Sequence, residues 1–512
     1  MKNILKEKNI GRKKMVFGVG LYVSLMLLAS CVSNKMETKP KLVVGIVIDQ
    51  MRAEYLYRFQ DNYTENGFKR LIREGFNVKN MHFNYIPTAT APGHASIFTG
   101  TSPANHGIVS NFWFSRDQSK IIYCAEDSTV GLVDNFGIEE GLNNKNFFRS
   151  PKNLGTTTIT DELKLFTNGR AKVIGVSIKD RGAIFPTGHL ADAAYWYNDR
   201  NGNFVTSSYY TKKLPEWLVE FNTQHKADSL LNLIWKPLLP IEKYVNSGKD
   251  NVSFEKIFKG KETSTFPYDL KKLRIDNKNF GLLKEVPYGS TLLTKLAIAA
   301  LKGENLGKGK ETDFLTVSYS STDYVGHHFG IRSKELEDTY VRMDREIAML
   351  LAQLDKEVGK GNYTLFLTAD HGASDNPPFL EAMNLPGKFY TSQKMKEALN
   401  SYLSDKFGEA TYISYMDKTQ VYFNETKTPK ELVIKESIEF LKTLDGVKEV
   451  FATEFSELNL DNSTIGTFIK NSYHHKESGD IYYGMYSGWM EELEYGATHG
   501  TSYTSDTHVP LL

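Results

Sequence analysis

The sequence predicts an α/β fold: a doubly wound, mostly parallel central sheet with helices on both faces and cap insertions above it. Three observations point there. Four apolar runs lack the alternation of a half-exposed strand, each ends in polar residues capable of chemistry, and helical periodicity lies between them. The first run, Lys41 to Asp49, suits a strand buried on both faces, and Ala171 to Ile178, Phe314 to Tyr319 and Tyr363 to Thr368 read alike. They end, in turn, at Asp49, at Lys179-Asp180-Arg181, at Ser320 to Asp323 and at Asp370-His371. Open α/β sheets build their sites just past the carboxyl ends of such strands. Between the runs, Ser290 can cap a helix from Thr291 to Lys302. Tyr340, Met343, Ile347, Leu350, Leu354 and Val358 recur at spacings of three and four. Residues 185–285 and 376–495 fit the alternation poorly and read as insertions in a domain spanning 41–512. The second contains its own small α+β unit, with Thr428-Pro429 opening a helix towards Leu441 and Val447 to Phe451 forming a strand.

Composition narrows the chemistry. Among 512 residues, 40% are hydrophobic and 12% aromatic, enough for a sizeable core. A net charge of +1 provides no broad basic field, which argues against nucleic acid as a dedicated partner. Two cysteines exclude a disulfide scaffold and a Cys-rich zinc module, so any metal site must use His and carboxylates. Lys2, Lys6, Lys8, Arg12, Lys13 and Lys14 precede the uncharged stretch Met15 to Ala29, which is too short to span a bilayer comfortably. Residues 1–30 therefore read as an export signal. The segment ends Leu28-Ala29-Ser30-Cys31, which resembles a bacterial lipobox in which Cys31 would be lipidated; the alternative is ordinary cleavage with an incidental Cys. The expectation is a periplasmic or outer-membrane-anchored lipoprotein of a bacterium, with residues 31–40 as a tether and the lipid as its sole membrane contact.

The chemistry-bearing residues are dispersed. Asp323 and His327 stand at i and i+4, one helical turn apart, so both can reach one ion. Asp370 and His371 are adjacent, and neighbours converge only where strand alternation breaks, which the following Gly372 would allow. Asp49 ends the first run, and His499 lies in a Gly/Thr/Ser-rich loop, with His508 as the alternative late ligand. Mixed N/O ligands without thiolate make Zn²⁺ the natural ion, and more than three protein ligands imply two of them. Pro92 suits the first turn of a helix running through Ala95 to Phe98, which would aim free N–H groups near Thr90. A hydroxyl so placed beside metal can become a nucleophile; the alternative is that Thr88 and Thr90 merely cap the helix.

The segments VIDQMR, PTATAPGHASIFTGTSPANHGIVSN, SIKDRGA, SSTDYVGHH, TADHG and HGTSYTSDTHVP, in this order from residue 41 to the end, resemble the alkaline phosphatase superfamily. Within it they are most similar to bacterial phosphate-irrepressible alkaline phosphatases with a threonine nucleophile, relatives of the nucleotide pyrophosphatase/phosphodiesterases. The resemblance implies Thr90 as nucleophile and metal ligand, Asp49, Asp370 and His371 around one zinc, and Asp323, His327 and His499 around the other. Asn111, Lys179 and Arg181 would grip the phosphoryl oxygens, as a planar Arg fork, an ammonium and an amide are suited to do. Small phosphate monoesters are the implied substrates. A phosphodiesterase or nucleotide pyrophosphatase is the enzymatic alternative, and a surface lipoprotein without catalysis the other. His94 and His106 are expected to be buried hydrogen-bonding residues. The chain stops at Leu512, where the family continues through a further strand and helix, which leaves the support of His499 an open expectation.

Overall fold

The computed structural model describes residues 39–139, 148–453, 464–491 and 495–512 of the chain. The expected export signal 1–30 and Cys31 lie outside the described residues. Lys41–Leu512 forms one compact unit around an eight-stranded sheet. Its strands run in the order Tyr363–Thr368, Leu42–Ile48, Asp313–Tyr319, Val173–Ser177, Ala193–Asn198, Asn203–Ser207, Leu132–Asp134 and Gly137–Glu139. The four apolar runs are thus four adjacent strands. They and Ala193–Asn198 pair in parallel, and the last three strands continue antiparallel.

Alternate residues of the Leu42–Ile48 strand feed different cores, the signature of a sheet covered on both faces. Leu42, Val44, Ile46 and Ile48 pack with Leu292, Leu296 and Ala300 of the Tyr288–Gly303 helix and with Tyr340, Met343, Ile347, Leu350 and Leu354 of the Lys334–Leu354 helix. Val43 and Val47 face Ile97 and Phe98 of the Thr90–Thr99 helix, together with Phe314 and Phe366. The long helix starts where Ser333 accepts a hydrogen bond from the Leu336 N–H, with Glu335 and Glu337 in its first turn. Ser290 does not cap its helix: the helix begins at Tyr288 after Pro287, which leaves Ser290 buried inside it.

Two observations reshape the reading of the insertions. Ala193–Asn198 and Asn203–Ser207 lie within the stretch 185–285, yet they extend the central sheet, because Ile174 to Ser177 offers a free parallel edge. Within 376–495, Ile413–Met416, Gln420–Phe423, Ile481–Met485 and Val447–Ala452 form a separate four-stranded antiparallel sheet beside the Lys430–Thr443 helix, with its own apolar core.

Gly372 has a different role from the one its position suggests. Its φ is not in the left-handed region; what the site needs is room, because a Cβ there would lie 2.1 Å from the Ser505 carbonyl oxygen and 3.2 Å from Arg52 Cγ. Gly372→Ala should therefore lower stability by roughly 1–3 kcal/mol through overpacking against backbone. Thermal unfolding monitored by circular dichroism checks this, and an unchanged melting temperature would contradict it.

Candidate metal and phosphoryl site

Parallel register places the four strand ends side by side. Asp49 follows Ile48, and Asp370 and His371 follow Thr368. Asp323 and His327 lie on the helix Ser321–Phe329 just after Tyr319, and Lys179 is the N-cap of the helix Asp180–Thr187 just after Ser177. The strand ends at Ser177, before Lys179 and Arg181, and the chain turns into a helix between them. The structure gathers Asp49, Asp370 and His371 into one group and Asp323, His327 and His499 into another, with ligand atoms in each group within 4.8 Å of one another. His499 stacks on His371 with ring centroids 3.6 Å apart. His508 instead stacks on His82 at 4.5 Å and contacts the Lys79 carbonyl, and His328 turns towards Lys256 and Glu285.

The imidazoles are set for metal. Nδ1 of His327, His371 and His499 lies 2.7, 2.9 and 2.7 Å from the carbonyls of Ala497, Gly372 and Thr88. A carbonyl only accepts, so each Nδ1 carries the proton and each Nε2 lone pair is free for an ion. Burial, then His371 and His327, hold the His499 pKa well below the usual imidazole value, which keeps it a neutral ligand. Asp49 Oδ1, Asp370 Oδ2 and His371 Nε2 are buried without a hydrogen-bond partner among the described residues. The donor nearest Asp370 Oδ2, His94 Nδ1 at 3.3 Å, is engaged with the Thr90 carbonyl at 2.8 Å.

Three orphaned ligand atoms from one group are what a cation would satisfy. Charge leads to the same conclusion. Burial, followed by the Asp323 and Asp370 carboxylates, pushes the Asp49 pKa well above its usual range. Asp323 is drawn well below its range, because His327 and Lys179 outweigh the burial that opposes ionisation. The Lys179 ammonium lies 2.6 Å from Asp49 Oδ2, 2.6 Å from Asp323 Oδ2 and 3.2 Å from Thr90 Oγ1. One lysine does not neutralise three buried carboxylates, so divalent ions fit this donor set.

Thr90 is buried and begins its helix, with Ala89 as N-cap. Neither Thr88 nor Thr90 caps it; Thr88 donates its hydroxyl to the Thr501 carbonyl at 2.9 Å. The helix end is not a free anion cradle, as the Pro92 position suggested. The Ala91 N–H donates to Asn111 Oδ1 at 2.9 Å and Pro92 has no N–H, so the terminus orients Asn111. With its carbonyl oxygen engaged, Asn111 presents its amide as a donor. Arg181 donates from Nη1 to the Tyr123 hydroxyl at 3.1 Å, and its buried Nε has no hydrogen-bond partner among the described residues. His94 and His106 are fully buried and hydrogen-bonded, His94 to Ser318 and His106 to Ser96.

A family model described as type I phosphodiesterase / nucleotide pyrophosphatase matches residues 43–508. The chain belongs to this family, within the alkaline phosphatase superfamily. It is 42% identical over 516 residues to the alkaline phosphatase PafA of Elizabethkingia meningoseptica, covering 98% of this chain and 91% of that one. It is 43% identical over 489 residues to a Myroides odoratus protein named calcium-transporting ATPase, covering 94% and 88%. A crystal structure of wild-type alkaline phosphatase PafA matches with a TM-score of 0.87 at 42% identity, over 93% of this chain and 90% of that one. The superfamily resemblance and the α/β fold read from the motifs are borne out.

One residue escaped the sequence reading although it adjoins Asp49. Gln50, in the left-handed region at φ 64°, donates from Nε2 to Asp323 Oδ1 at 2.7 Å and from its backbone N–H to Asp370 Oδ1 at 3.2 Å. It thereby ties one ligand group to the other. Gly326 leaves it room, since a Cβ there would lie 1.9 Å from Gln50 Oε1. Gly326→Ala and Gln50→Gly should each weaken metal retention on the order of 10- to 100-fold, as loss of an outer partner typically does. Chelator competition with purified protein reads this, and curves matching the parent chain would refute it.

Proposed function

We propose that this chain hydrolyses phosphate monoesters to alcohol and inorganic phosphate through a covalent phosphothreonine on Thr90, with two zinc ions. The observation that carries the reading is the contact of Lys179 Nζ with Thr90 Oγ1 and with a carboxylate from each ligand group. A hydroxyl, a cation for phosphoryl charge and two sets of metal ligands meet at one point. The name of the Elizabethkingia relative supports the same activity. That of the Myroides relative is compatible, because the terminal phosphoryl group of a nucleoside triphosphate is also a dianion held by one bridging oxygen.

Asp49, Asp370 and His371 would hold one ion, with Thr90 joining them, and Asp323, His327 and His499 the other. Zinc so bound supplies Lewis acidity, which lowers the pKa of a hydroxyl and offsets phosphoryl charge. Thr90 Oγ1 loses its proton and attacks phosphorus; the bond to the alcohol oxygen breaks, that oxygen takes up a proton, and phosphothreonine remains. Water then attacks the same phosphorus, releasing inorganic phosphate and restoring the hydroxyl. Lys179, Arg181 and the Asn111 amide hold the non-bridging oxygens throughout, where charge lies in the transition state. Two cations suit a dianion, and a diester's second organic group would displace one of them, which favours monoesters over the diesters named in the family description.

Thr90→Ala should lower turnover of an aryl phosphate about a thousandfold or more while inorganic phosphate still binds, and Thr90→Ser should keep activity. Acid quench with a ³²P-labelled substrate should trap label on Thr90. Undiminished Thr90→Ala activity would refute the nucleophile, and fewer than two zinc ions per chain in elemental analysis would refute the metal assignment.

The reading includes export and a lipid anchor on Cys31, with residues 185–285 and 376–495 walling the site. No helix of the described residues is long and apolar enough to cross a membrane. Mass spectrometry of the mature amino terminus should find an acylated Cys31, and an unmodified or differently cleaved terminus would refute the anchor.

A further inference from the structure

Arg181 lies in a small, fully specified network that the activity alone does not require. It lines a cavity of about 580 Å³ with Lys179, Arg149, Tyr123, Lys284 and Tyr324. Its Nη1 donates to the Tyr123 hydroxyl at 3.1 Å, and that hydroxyl donates its single proton to Asp180 Oδ1. Asp180 Oδ2 accepts from Arg149 Nε at 2.5 Å, and Oδ1 also accepts the Arg181 backbone N–H at 2.7 Å. The Arg149 guanidinium lies over the Tyr123 ring, 4.4 Å from its centroid. Each link has one direction. Arg181 can only donate, so the tyrosine oxygen must accept from it, and its proton then goes to the carboxylate that Arg149 keeps ionised.

The network also reaches Asn111. Tyr123 ends the strand Lys120–Tyr123, which pairs with Phe112–Ser115, and the Cys124 N–H donates to the Asn111 carbonyl at 3.0 Å. One hairpin thus carries both the Asn111 amide and the hydroxyl that holds Arg181. Among the described residues Arg181 Nε has no hydrogen-bond partner, and it is buried. A buried guanidinium edge left unsatisfied in a cavity that also contains the Lys179 ammonium is a place for an anionic oxygen.

We propose that Tyr123, Asp180 and Arg149 are positioning residues that fix the Arg181 guanidinium, and that this fixation sets the preference for a doubly charged monoester over a singly charged diester. The inference rests on the phosphomonoesterase reading. A diester has one fewer charged oxygen for the fork to engage, so loosening Arg181 should penalise the monoester more. Asp180 carries the greatest number of links, but it opens the helix that follows Lys179, so Tyr123 and Arg149 are the cleaner probes.

The test compares an aryl phosphate monoester with its methyl diester in the zinc-loaded full chain. Tyr123→Phe and Arg149→Ala should each lower monoester kcat/KM on the order of 10- to 100-fold, as displacement of a positioned group does, and change the diester rate far less. They should also weaken competitive inhibition by inorganic phosphate. In an Arg181→Ala background Tyr123→Phe should have no further effect, because the residue through which it acts is gone. Equal losses on both substrates, or an undiminished Tyr123→Phe effect in that background, would overturn the proposal. Melting temperatures separate misfolding from mispositioning, and Arg149→Lys, which keeps the charge but loses the fork, should recover only part of the monoester rate. If the parent chain does not hydrolyse the monoester, it is the functional reading that fails, not the network.

Discussion

Three carboxylates buried within reach of one another are the constraint around which the rest of this structure is arranged. Asp49, Asp323 and Asp370 are each almost fully excluded from solvent, and desolvation alone would drive such groups to neutrality. They are brought together because parallel strands in register end at the same level. Leu42–Ile48 has Asp313–Tyr319 on one side and Tyr363–Thr368 on the other. The sheet therefore creates the electrostatic problem that cations then resolve. Lys179, from the next strand along, resolves part of it. The rest suits ions, for which Asp49 Oδ1, Asp370 Oδ2 and His371 Nε2 are buried and without a hydrogen-bond partner among the described residues.

The supporting contacts follow from that problem. Backbone carbonyls of Ala497, Gly372 and Thr88 select the tautomer of three histidines, and one of them, Gly372, directly follows a candidate ligand in the chain. Gln50 spans the two groups in a backbone conformation that ordinarily suits glycine, a cost of order 1 kcal/mol that two hydrogen bonds to ligand carboxylates offset. On the other side, Thr90, Asn111 and Arg181 are linked by a helix start and a hairpin, not by the sheet. The proposed metal side and the proposed phosphoryl side are thus built from different elements that meet at Lys179.

This division explains what was legible in the sequence. Strand-end residues could be found because continuous apolar runs mark buried parallel strands and the residues after them inherit a common location. Asp49, Asp323 and Asp370-His371 came from that rule alone. His499 did not, since its loop follows no strand of the central sheet, and only the motif resemblance singled it out over His508. Gln50 was invisible because its importance lies in a backbone angle and a long-range contact, and neither leaves a mark in residue type. Arg149 and Tyr123 lie far from Arg181 in sequence and on elements with no periodic signal of their own. The strands Ala193–Asn198 and Asn203–Ser207 were read as part of an insertion because a Tyr- and Asn-rich composition conceals strand pairing that neighbouring backbone decides.

The position of Lys179 brings these strands of reasoning together. Its ammonium contacts the two ligand groups and the Thr90 hydroxyl at once, and burial weakens it while Asp323 and Asp49 hold it charged, with its pKa raised above the ordinary lysine value. A lysine on a continuing strand would point its neighbour at i+2 the same way. Here the chain turns at Lys179, the N-cap, and places Arg181 in the first turn of the helix, so no strand face aligns the two cations that line the cavity. Two charges not aligned on one strand face can engage different oxygens of one phosphoryl group, whereas two on one strand face would compete for the same oxygen. The turn after Ser177, more than the presence of two basic residues, is what makes the pair suited to a dianion.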